Sequence, residues 1–94
     1  MLEWLQQWYL SNCDGNWEHE NGVQINTLDN PGWLIDIDLK KTSLEGLEIP
    51  YSINEISETE WEAYSISNNV FKGRCSPNKL NRVIEIFKEI VESH

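Results

Sequence analysis

The run Asp29-Asn30-Pro31-Gly32-Trp33-Leu34-Ile35-Asp36-Ile37-Asp38-Leu39 decides the fold class. In an extended chain Trp33, Ile35, Ile37 and Leu39 fall on one side, with Asp36 and Asp38 on the other. This period of two marks a strand with one dry and one wet face. Ahead of it, residues 22–29 alternate as well, with Val23, Ile25 and Thr27 sharing a side. Between them, Asn30-Pro31-Gly32 has type II turn chemistry: Pro pre-sets φ at the second position and Gly supplies positive φ at the third. The segment therefore reads as an antiparallel hairpin.

Working outward, residues 40–46 form a loop, and Leu47, Ile49, Tyr51 and Ile53 alternate in a third strand over about 47–56. Pro50 lacks a backbone donor, so this strand belongs at an edge or carries a bulge. Trp61 to Ser67 and Val70 to Cys75 form two further strands around Asn68-Asn69, and Asn tolerates the positive φ of a two-residue hairpin loop. At the N-terminus Leu2, Leu5, Tyr9 and Cys13, with Trp4 and Trp8, keep helical spacing over residues 2–12. The apolar arc of this helix is wider than one buried stripe requires, so part of it faces a second layer or a partner. Asp14-Gly15-Asn16 follows, with Gly15 suited to a left-handed C-cap. Ser76-Pro77 reads as the opening of a last helix over about 77–92, whose stripe is Leu80, Val83, Ile84, Phe87, Ile90 and Val91. The expected architecture is α+β: an antiparallel meander of four to five strands, with an N-terminal and a C-terminal helix packed on one face.

The chain has 94 residues, enough for one domain spanning 1–94. Its 7 Lys and Arg against 16 Asp and Glu give a net charge of −9. Residues 1–62 hold 13 acidic and 2 basic side chains, a net of −11, while 63–94 hold 3 and 5, a net of +2. A nucleic-acid binder needs a basic footprint, and an anionic membrane attracts cations, so neither is an expected partner. No run approaches the length of a membrane span, and the N-terminus lacks the basic region of a secretory signal, so a cytoplasmic location is expected. Cys13 and Cys75 read as a reduced pair packed as small hydrophobes.

Little in the chain points to chemistry. His19 lies between Glu18 and Glu20, near Asp14, but no second His or Cys stands at ligand spacing, so a solvated polar loop explains the cluster and no metal or cofactor is expected. Cys13 or Cys75 could pair with His19 as a nucleophile, but neither has an orienting signature. Asp36/Asp38 and Glu58/Glu60/Glu62 resemble catalytic carboxylate pairs in spacing alone; in an acid-rich chain they make a wet sheet face. The five Trp residues carry the stronger signal. Trp33 and Trp61 are assigned to the core. Trp4, Trp8 and Trp17 gather near the first helix and its exit beside Asp14, Glu18, His19 and Glu20, and aromatic anchors with an acidic rim are a common interface recipe. These residues, with Asp36 and Asp38, form the expected partner-binding set; the competing reading is that Trp fills a sparse core. Exposed Trp is also compatible with self-association, so monomer or weak homodimer is expected.

The words Trp4-Leu5-Gln6-Gln7-Trp8-Tyr9, Cys13-Asp14-Gly15-Asn16-Trp17-Glu18-His19 and Leu28-Asp29-Asn30-Pro31-Gly32-Trp33 resemble the immunity protein 53 family of bacterial polymorphic-toxin systems. So do Trp61, Asn69-Val70-Phe71-Lys72-Gly73, Pro77 and the helix Leu80 to Phe87, in the same order. The resemblance implies a small cytosolic protein, not an enzyme, that binds and neutralises a cognate toxin. The acidic, Trp-bearing surface makes occlusion of the toxin's active site or groove the expected mechanism, and a nuclease-type toxin would offer a basic groove to the acid excess. The other class left open is a small-ligand-binding or enzymatic domain using Trp17, Glu18 and His19.

Overall fold

A computed structural model describes residues 1–94. Helix α1 (Leu2–Asn12) and a one-turn helix α2 (Trp17–Glu20) precede five strands: β1 (Val23–Leu28), β2 (Gly32–Asp38), β3 (Ile49–Ser57), β4 (Glu60–Ser67) and β5 (Val70–Cys75); helix α3 (Leu80–Ser93) closes the chain. The strands form one antiparallel sheet, and the helices pack on one face of it. The α+β class, the five strands and both terminal helices agree with the sequence patterns. The one-turn α2 was too short for a periodicity to reveal.

The strand order, β1-β2-β5-β4-β3, corrects the expected simple meander. Strands β3, β4 and β5 do form a meander, but β5 returns to pair with β2, so Leu39 to Glu48 must carry the chain past the end of the sheet to its far edge. The reason lies in the side chains. Strand β5 offers Phe71, Gly73 and Cys75 to the helix layer, and all are buried. Strand β3 offers Ser52 and Asn54 to that side, and Pro50 withholds a donor, so it is stable only at an edge.

On the helix face, Ile35 and Ile37 of β2, Phe71 of β5 and Ile66 of β4 meet Leu5 and Trp8 of α1 and Val83, Ile84 and Phe87 of α3. An aromatic chain crosses this core: Trp17 to Trp8 (6.1 Å), Trp8 to Phe87 (5.0 Å) and Phe87 to Phe71 (5.0 Å), the first two pairs edge to face. Gly73 lets α3 approach, since a Cβ there would lie 2.5 Å from Val83 Cγ1 and 2.8 Å from Ile35 Cγ2.

Local details depart from expectation in four places. The Asn30–Pro31 peptide is cis and Gly32 lies in β2 without positive φ, so the first hairpin does not turn through type II geometry. Gly32 is required for another reason: a Cβ would fall 2.3 Å from the Cys75 carbonyl oxygen. Helix α1 ends on an extended Cys13, and the positive φ of Gly15 (+93°) belongs to the turn leading into α2. Ser76 does not cap α3, which starts after Lys79. Its buried hydroxyl instead accepts the Trp61 N–H (3.1 Å) and donates to the Trp61 carbonyl (3.2 Å), tying the end of β5 to β4. The Asn68-Asn69 hairpin is as expected, with φ of 51° and 61°.

Candidate partner-binding surface

The Cys13-to-His19 segment is a self-capping turn. Asp14 Oδ1 accepts the N–H groups of Asn16 (2.9 Å) and Trp17 (2.8 Å). The Glu18 carboxylate reaches back to the N–H groups of Asp14 (3.0 Å) and Gly15 (2.9 Å). The exchange is reciprocal, in the manner of a capping box, and satisfies donors that a short helix leaves open. The backbone donors of Trp17 and Asn16 hold the Asp14 carboxyl below its ordinary range, and those of Glu18 itself, Asp14 and Gly15 do the same for Glu18. Hydrogen bonds to the charged form explain both shifts without any ligand.

Trp17 and Trp33 of the signature words act as clasps. Trp17 is buried and its indole N–H donates to the Lys40 carbonyl (2.8 Å), fixing the loop after β2. Trp33 packs against the core and donates to the Pro77 carbonyl (2.9 Å), fixing the turn before α3. An indole suits this because one edge fills apolar space while the other carries a donor.

The expected partner-binding set therefore separates. Trp8 and Trp17 are 8% and 3% exposed, which corrects their placement as surface anchors: the domain uses them to fill its core. Trp4 is half-buried, edge to face on Phe87 at 5.9 Å. Asp36 and Asp38 lie on the open face of the sheet as expected, but Asp36 pairs with Arg74 (2.9 Å) and Asp38 accepts the Gly22 N–H (2.8 Å). His19 and Glu20 are exposed and make no side-chain hydrogen bond or ion pair. A shallow cleft of about 380 Å³ does gather Asp14, Trp17, His19 and Glu20 with Lys41. No group of three or more His, Cys, Asp or Glu side chains is placed to hold a metal ion. Trp61, assigned to the core from sequence, is half-buried on the open face, outside the core cluster.

The largest exposed apolar side chains of the sheet lie on β3: Tyr51 (66%), Ile53 (50%) and Ile56 (60%). The alternation of Leu47, Ile49, Tyr51 and Ile53 places all four on one face. A bulge between Ile49 and Ser52 breaks that rule. Ile49 pairs with Ile66 on the helix side, but Ser52 then pairs with Tyr64 on that same side, so Ile53 is turned to the open face beside Ala63. One extra residue exchanges the faces of the residues that follow, as far as the second register shift between Glu55 and Ser57. Pro50 was the available sign of the bulge.

On the helix side of β3, a groove of about 370 Å³ runs between that strand and α3, lined by Asn54, Glu62 and Tyr64 from the sheet and by Arg82, Ile86 and Glu89 from α3, among others. Glu62 is 5% exposed, and its one hydrogen bond comes from Asn54 Nδ2 at 3.5 Å. None of the chain's ion pairs includes it. Arg82, on the α3 side of the groove, is held instead by Glu85 and Glu89. From Thr42 to Phe71 the chain carries Glu45, Glu48, Glu55, Glu58, Glu60 and Glu62 and no Lys or Arg. The β3–β4 margin thus has exposed apolar side chains set among glutamates, of which Glu60 is paired with Lys79 (3.8 Å).

The family model for immunity protein 53 matches residues 2–92. No curated protein and no solved structure matches the chain.

Proposed function

Because the chain belongs to the immunity protein 53 family, we propose that it neutralises a cognate bacterial toxin by stoichiometric binding, covering the toxin's active site or substrate groove. The family match over residues 2–92 carries this reading. The architecture supports it: the signature residues Asp14, Trp17, Glu18 and Trp33 are engaged in capping and clasping. Those residues build a scaffold, and recognition then falls to exposed side chains elsewhere. The charge of −9 supports a cationic partner such as the groove of a nuclease-type toxin. Opposed fields of this kind raise the encounter rate, and screening at physiological salt, where the Debye length is about 8 Å, lowers it.

The test is co-expression with the toxin domain encoded immediately upstream. Rescue of growth together with a one-to-one complex is the expected result, and rescue without a complex overturns binding as the mechanism. Association measured by stopped flow should slow as salt rises; a salt-independent on-rate removes the electrostatic component.

The second reading, a small-ligand or enzymatic domain at Trp17, Glu18 and His19, draws on the cleft that gathers Asp14, Trp17 and His19. Its polar groups are largely engaged: Asp14 and Glu18 accept backbone N–H groups and the Trp17 donor is bound to Lys40. His19→Ala should retain full protection; loss of protection with an intact complex favours the enzymatic reading.

A further inference from the structure

We propose that the toxin docks on the β3 margin, with Tyr51, Ile53 and Ile56 as apolar anchors and a cationic toxin surface lying against the surrounding glutamates. This contact face rests on the reading of the chain as a toxin-binding protein.

Three observations converge on this strand. First, Tyr51, Ile53 and Ile56 are each half exposed or more within one nine-residue strand, Ile49–Ser57. A stable sheet does not need them there; an interface core does. Second, the edge is built against backbone pairing. Pro50 removes a donor, and register shifts fall between Ile49 and Ser52 and between Glu55 and Ser57. Such features blunt strand addition, so the contact is made by side chains over the margin and not by an added strand. Third, the charge selects the occupant. A second copy of this chain would set Glu48, Glu55 and Glu58 against their own counterparts, because no Lys or Arg lies between Thr42 and Phe71 and the nearby Lys79 is taken up by Glu60 (3.8 Å). Like charges in register disfavour that pairing, and a cationic surface reverses the sign.

The groove beside β3 adds a specific acceptor. Glu62 is buried at its wall with one long hydrogen bond and no ion pair, because Arg82, which lines the same groove, is held by Glu85 and Glu89. A Lys or Arg side chain entering from the toxin would pair with this carboxylate through a charge-assisted hydrogen bond. The strand then presents apolar anchors on the open face and a cation acceptor on the other, so a partner straddling the edge meets both.

The experiment measures binding of the purified toxin domain to the full chain and to three variants by calorimetry. Tyr51→Ala/Ile53→Ala/Ile56→Ala changes exposed side chains, and circular dichroism checks that it folds. Truncating an anchor weakens binding by roughly tenfold, so the triple variant should lose about 100-fold or more. Glu62→Gln should weaken binding about tenfold and flatten its salt dependence; unchanged affinity removes the groove from the contact. Leu10→Ala, on the exposed flank of α1, should bind as the unaltered chain does. A triple variant that binds within threefold of the unaltered chain, or a loss confined to Leu10→Ala, overturns the docking face while leaving toxin binding intact. Light scattering covers self-association: a homodimer that the triple variant dissolves, with toxin affinity unchanged, assigns the margin to a second copy and overturns the proposal. If the unaltered chain does not bind the toxin, the functional reading fails, and this face with it.

Discussion

Replacing Trp17 by alanine separates a scaffold role from a contact role for the Cys13-to-His19 signature. The side chain is 3% exposed, meets Trp8 edge to face at 6.1 Å and lies 5.9 Å from Tyr9, and its N–H is 2.8 Å from the Lys40 carbonyl oxygen. Truncating a buried Trp costs about 3–5 kcal/mol, because transfer and cavity terms add. A domain of this size has roughly 5–14 kcal/mol of stability in total, so Trp17→Ala removes about a fifth or more. Its melting temperature should fall by at least ~12 °C. Trp17→Phe keeps most of the ring and loses the donor; it should cost about 1 kcal/mol for the hydrogen bond plus the smaller lost volume. Urea unfolding followed by far-ultraviolet circular dichroism is the suitable assay, since fluorescence would change with the indole itself. A Trp17→Ala protein within 1 kcal/mol of the parent (~1, at an unchanged urea slope) refutes the burial argument. If that stable variant also failed to protect against the toxin, Trp17 would be a contact residue.

Gly73→Ala places a methyl group 2.5 Å from Val83 Cγ1 and 2.8 Å from Ile35 Cγ2, so α3 must shift and about 1–3 kcal/mol is lost in thermal unfolding; an unchanged melting temperature contradicts the close approach. Asp14 and Glu18 hold their protons less tightly folded than unfolded, so their contribution is complete above their ordinary values of 3.8 and 4.5 and is lost as pH falls below them. Asp14→Asn/Glu18→Gln should therefore be less stable than the parent at neutral pH and approach it in acid; a gap independent of pH excludes the capping account. Cys75 is 1% exposed, and burial pushes its thiol up to about 11. A thiol reagent should leave Cys75 unmodified in the folded chain and reach it after unfolding, and prompt labelling of both cysteines contradicts that placement.

The fold was legible wherever a periodicity ran unbroken. The alternation from Trp33 to Leu39 and the stripe from Leu80 to Val91 specify their own elements, because each has one apolar side that must be covered. Asn68-Asn69 specified its turn, because Asn adopts positive φ at low cost. Reading the site was harder. An indole beside a carboxylate looks the same in a sequence whether it faces solvent or core, so Trp8 and Trp17 read as surface anchors yet are buried, and Trp61 reads as core yet is half-buried on the open face. Asp14 and Glu18 look available for a partner because the donors that engage them are backbone N–H groups, which carry no sequence signature.

Local chemistry along the chain was enough to set the element types, the charge separation and the family words. Strand order was not local: whether β5 or β3 lies beside β2 depends on which strand can be covered by α3, and that is a competition among distant segments for one buried face. The outward turn of Tyr51 and Ile53 likewise arises only when β3 is paired against β4, because a bulge is a property of two strands in register and exists in neither alone.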